Sequence, residues 1–68
     1  MSSEISVNGR AEPLTAATVA DLLRTRGIAG SRGLAVAVNG VVIPAGAWPE
    51  RPLAAGDEVE IVRPFGGG

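Results

Sequence analysis

Sixty-eight residues make one small domain, near the lower limit at which an apolar core suffices alone. The chain has no cysteine and no histidine, which excludes disulfide staples and the usual structural metal sites. Its net charge of −1 comes from six Arg, five Glu and two Asp placed singly, with no Lys, so the basic stripe of a nucleic-acid binder is missing.

Met1-Ser2-Ser3-Glu4-Ile5-Ser6 lacks the basic region and long apolar run of a secretory signal. No segment approaches the ~20 apolar residues of a membrane span. The expectation is a cytoplasmic protein that engages neither membrane nor nucleic acid.

Glu4 to Val7 alternates polar and apolar residues, and Asn8-Gly9 is a strong hairpin signal. The return strand covers roughly Arg10 to Leu14, with Pro13 marking it as an edge strand. A strict two-residue turn would set Arg10 opposite Val7 on the buried face, so a bulge or longer loop is expected and the register stays open.

Thr18 to Gly27 predicts one short helix. Thr18 is the N-cap, and Asp21 can return a hydrogen bond or at least favour the positive helix end. Val19, Leu22 and Leu23 share a face, Arg24 and Arg26 fall in the last turn, and Gly27 stops the helix with Ile28 placed for a Schellman contact. A helix this far below ~12–15 residues needs a sheet to pack on.

Ala29 to Gly33 reads as a loop. Leu34 to Val38, Asn39-Gly40 and Val41 to Ile43 form the clearest hairpin: Val38 faces Val41 and Val36 faces Ile43, giving with Leu34 one large apolar face. Ala35, Ala37 and Val42 form the other face, which is small, flat and uncharged, as a docking surface would be. Pro44 ends this hairpin and Ala45 to Pro52 is irregular, with Trp48 closing one end of the core in preference to serving as a ligand platform. Leu53 packs inward, Gly56-Asp57 turns, and Glu58 to Val62 is the last strand with Val59 and Ile61 inward.

After that strand come Arg63-Pro64-Phe65-Gly66-Gly67-Gly68. Glycines have no side chain to pack and are the costliest residues to order, so a core has no use for them there. The reading is that residues 64–68 form a flexible tail whose terminal carboxylate is the functional group, on a domain spanning residues 1–63. The element order fits an α+β fold of β-grasp type: a mixed four- to five-stranded sheet, one main helix on one face, the last strand central beside the first.

On these residues the chain resembles the ThiS family, the ubiquitin-like sulfur carriers of thiamine biosynthesis. Val7-Asn8-Gly9, Thr18 to Leu23, Ala35 to Gly40, Val42-Ile43-Pro44 with Trp48, Leu53, Gly56-Asp57, Val59 to Val62 and terminal Gly67-Gly68 carry the resemblance in order and spacing. It implies a carrier and not an enzyme. A ubiquitin-activating-like adenylyltransferase (ThiF type) would use ATP to convert the Gly68 carboxylate to an acyl-adenylate. A sulfur donor protein would make that a thiocarboxylate, and thiazole synthase (ThiG type) would take the sulfur.

Gly66 and Gly67 would thread a partner's active site. Pro64 and Phe65, with Ala35, Ala37, Val42, Val62, Glu58 and Glu60, would contact partners. No cofactor is expected on this chain, since ATP belongs to the activating partner and no glycine-rich loop lies between a strand and a helix.

Two other carriers or modules share the pattern: the small subunit of molybdopterin synthase, which uses the same terminus, and a β-grasp interaction module whose glycine tail is incidental. The Ala-Val-Asn-Gly turn with downstream Trp48 favours the thiamine carrier. An enzyme is disfavoured because His, Cys, Tyr and Lys are all missing, so no catalytic or metal-binding residue is assigned. Glu58 and Glu60 share a strand face and read as a solvated surface meeting an Arg-bearing partner.

Overall fold

In the computed structural model, which describes residues 3–28 and 33–63, both Asn-Gly pairs make tight two-residue turns. Asn8 (φ 52°) and Gly9 (φ 84°), like Asn39 (φ 53°) and Gly40 (φ 82°), are left-handed at both central positions. This is the type I′ geometry that matches the twist of paired strands. The first turn joins β1 (Glu4–Val7) to β2 (Arg10–Pro13), and the second joins β3 (Ala35–Val38) to β4 (Val41–Ile43).

The expected bulge in the first hairpin is therefore absent: Val7 pairs directly with Arg10, and Ile5 with Glu12. Arg10 is tolerated there because β2 is an outer strand with three of its four residues exposed, so water reaches the charge. Glu12 on the same side ion-pairs with Arg26 at the helix end. β2 stops at Pro13, although the Leu14 N–H still donates to the Ser3 carbonyl at 2.9 Å.

Helix α1 (Val19–Thr25) is capped as its sequence dictates. The Asp21 N–H donates to Thr18 Oγ1 at 3.2 Å, while the Asp21 carboxylate turns to Arg24 instead of bonding back to the cap. At the other end the Ile28 N–H donates to the Leu23 carbonyl and the Gly27 N–H to that of Arg24, both at 3.0 Å. With Gly27 at φ 73° this is a Schellman motif.

The sheet order is β2-β1-β5-β3-β4, with β5 (Glu58–Val62) in the middle, parallel to β1 and antiparallel to β3. Ile5, Val7, Val36, Val38, Val59 and Ile61 on one sheet face are buried together with Val19, Leu22 and Leu23 of α1. Val41 departs from the expected core face: it is 61% exposed, because β4 is the other outer strand.

Ala45–Glu50, expected to be irregular, forms a 3₁₀ helix. Gly46 and Pro49 give it little intrinsic propensity, so tertiary contacts hold it. Trp48 is buried, and its Nε1–H donates to the Ile43 carbonyl at 2.8 Å. That contact confirms Trp48 as a cap on the core and provides its indole N–H with the partner a buried one needs. The segment beyond it is tied to α1: Val19 N–H donates to the Arg51 carbonyl (3.0 Å) and Leu53 N–H to that of Ala17 (2.9 Å).

Candidate docking face and tail exit

The sheet face away from α1 is covered by nothing among the described residues. Strand alternation puts Ala35, Ala37, Val42, Glu58, Glu60 and Val62 on it together, so six of the sequence-selected partner residues form one surface. Their order across the sheet follows from the register. Glu60 lies opposite Ala37, which lies opposite Val42, and the next row pairs Val62 with Ala35. Ser6 stands beside Glu58.

Val42 (69%) and Val62 (61%) are among the most exposed large apolar residues described. Apolar side chains this exposed on the two strands that flank β3 are what a partner-binding patch looks like. The face is not uncharged, as the Ala35, Ala37 and Val42 triplet implied in isolation, because the central strand inserts Glu58 and Glu60 beside it. Neither is in an ion pair among the described residues; the two ion pairs there are Arg24 with Asp21 and Arg26 with Glu12. The face thus offers a valine-and-alanine half and an acidic half. A shallow depression between the two hairpin turns, bordered by Ser6, Gly9, Gly40, Glu58 and Glu60, adjoins the acidic half.

The Asn residues of the turns do more than turn the chain, a role that local sequence reading does not reveal. Asn8 Oδ1 accepts from the Ile61 N–H at 2.8 Å, and its Nδ2 donates to the Ile61 carbonyl at 3.3 Å. Asn39 Oδ1 accepts from the Glu58 N–H at 2.9 Å, and its Nδ2 donates to Asp57 at 3.0 Å. The two side chains grip β5 from opposite edges. Asp57 is held below the usual carboxylate range chiefly by the Ala54 N–H donating to it at 2.8 Å, with Asn39 and the positive charge of Arg51 adding to that and burial opposing it.

Strand β5 leads through Arg63 towards Pro64, Phe65, Gly66, Gly67 and Gly68, and these last five lie outside the described residues. Among the described residues no cluster of three or more acidic side chains could hold a metal ion, and no helix is long and apolar enough to cross a membrane.

A helix laid across one face of a mixed five-stranded sheet, with its most C-terminal strand central and the other face open, is the ubiquitin-like β-grasp fold. Within that class the chain belongs to the ThiS family, whose family model matches residues 5–68. A similar solved structure is the crystal structure of a thiamine biosynthesis protein (ThiS) from Geobacter metallireducens. It is 29% identical, with a TM-score of 0.77, over 96% of this chain and 99% of that one. A search of curated proteins finds no match.

Proposed function

We propose that this protein is a sulfur carrier of thiamine biosynthesis. The observation that carries the reading is the position of β5: one strand is the centre of the sheet, bears Glu58, Glu60 and Val62 on the open face, and continues into the glycine-ended segment. Docking by that face therefore fixes the starting point of the tail. Membership of the ThiS family and likeness to a thiamine biosynthesis protein support the same reading.

In the proposed chemistry a Gly68 carboxylate oxygen attacks the α-phosphorus of ATP on a ThiF-type adenylyltransferase, and pyrophosphate leaves. Sulfur at the sulfide level, delivered as hydrosulfide by a donor protein, then attacks the acyl carbon. AMP leaves with one of the original carboxylate oxygens and a proton is released, so one carboxylate oxygen is replaced by sulfur. The thiocarboxylate passes its sulfur to a ThiG-type thiazole synthase. Five residues beyond Arg63 span at most roughly 17 Å when extended, which is enough to enter a recessed active site. Glycine suits that passage because it has no Cβ and takes backbone angles closed to other residues. ATP belongs to the partner in this scheme, and the chain itself performs no catalysis.

Intact mass after incubation with a ThiF-type enzyme, ATP and sulfide tests the reading. The expected gain equals one sulfur in place of one oxygen, and it should disappear when Gly67 and Gly68 are deleted. A deletion variant that still accepts AMP would refute the proposal.

A further inference from the structure

The β1–β5 pair is short. Its register covers Ser6 with Glu58 and Val7 with Val59, after which β1 turns away at Asn8 while β5 runs on to Val62. Ile61 is only 9% exposed, so its peptide groups on the β1 side require protein partners. Asn8 provides them. Its backbone N–H donates to the Val59 carbonyl at 2.9 Å, and its side-chain amide then takes both the N–H and the carbonyl of Ile61. One amide group thereby imitates the peptide of a strand that is no longer there. On the opposite edge of β5, Ala35 pairs with Val62. The strand is thus held as far as Ile61 on the β1 edge and Val62 on the β3 edge.

We propose that Asn8 is a positioning residue for the carrier reaction: by splinting the end of β5, it fixes the direction in which the tail leaves the docked domain. This rests on the carrier reading above. It differs from a simple stabilising role, because the Asn39 side chain makes a comparable grip at the start of β5, on Glu58, remote from the tail exit.

The test is Asn8→Gly beside Asn39→Gly. Glycine keeps the positive φ of either turn, so only the side-chain bonds are removed. In Asn8→Gly the Ile61 amide should exchange with solvent roughly tenfold faster relative to the β3 amides, equivalent to about one lost hydrogen bond. Adenylation by a ThiF-type enzyme should show a lower kcat at unchanged KM for the carrier, since the docking face is intact. Asn39→Gly should leave kcat unchanged. If Ile61 exchange rises no more than that of β3, or if both variants lose kcat equally, Asn8 is merely structural and the proposal falls. Wild-type adenylation with full kcat in Asn8→Gly would sink the positioning role alone. A wild-type chain that accepts no AMP would sink the carrier reading and this role together.

Discussion

Ala37 of β3 lies directly opposite Glu60 of β5 on the open face of the sheet. Ala37 is therefore the point where the apolar half of the open face meets its acidic half, and a side chain there affects both. Replacing it by Glu sets like charges across the pair, at a cost of about 0.2–1 kcal/mol. Ala37→Arg instead creates a favourable pair with Glu60. Both variants should fold. Both should raise KM for the carrier in the adenylation assay, since each adds a bulky charged group to the face. Unchanged KM in both would remove this surface as the dock.

Trp48 closes the core through one hydrogen bond as well as through its area. Trp48→Phe keeps an aromatic ring but leaves the Ile43 carbonyl without its indole donor. The expected loss is about 1–3 kcal/mol, or a fall in Tm of roughly 4–8 °C per kcal/mol for a domain this size. Thermal melting followed by far-UV circular dichroism measures it, because the variant lacks the protein's one Trp and its fluorescence.

Gly27 is required by backbone angle and not by space. Its φ is 73°, and a Cβ built there meets nothing within 4 Å. Gly27→Ala should cost about 1–2 kcal/mol from the left-handed conformation alone. Gly27→Asn should cost less, since Asn visits that region more readily. Equal losses in chemical denaturation would mean that packing, not conformation, dominates at the helix end.

Asp57 joins Ala54, Asn39 and the start of β5, and its folded-state pKa lies below its ordinary value. A depressed carboxylate stabilises the fold above the unfolded pKa of ~3.9, and this contribution is lost as pH falls through the lower folded value. Wild type should therefore be more stable than Asp57→Asn at pH 7, with the gap closing below about pH 4. A gap that stays constant down to acid denaturation would show that the carboxylate charge is not what Asp57 contributes.

Features governed by neighbouring residues could be read from sequence. Asn39-Gly40 between two apolar runs fixed the pairs Val38–Val41 and Val36–Ile43, and Thr18 with Gly27 bounded the helix. Arg10 was harder, because whether a position opposite Val7 is buried depends on how far the helix covers the outer strand. The same coverage left Val41 in water. The 3₁₀ helix ran against its own composition, with Trp48 anchored on Ile43 outweighing Gly46 and Pro49. The grip of Asn8 on Ile61 joins residues 53 positions apart, and no local pattern announces it. The open face was half legible: the Ala35, Ala37 and Val42 triplet and the Glu58 and Glu60 pair each follow from strand alternation, but that they adjoin on one surface required knowing which strand pairs with β3.

The central place of β5 also has a consequence for the order of folding. Its partners both lie well before it in the chain, β1 near the start and β3 just past the middle, and such long-range pairings form late because the intervening chain must first be organised. Until residues up to Val62 have been synthesised, the sheet lacks its middle and the two hairpins have nothing to join them. An incomplete or misfolded chain thus lacks the open sheet face and the central strand that leads to Arg63. Under the proposed carrier function, this topology makes correct folding a precondition for activation, and a partner that recognises the sheet would load only finished molecules.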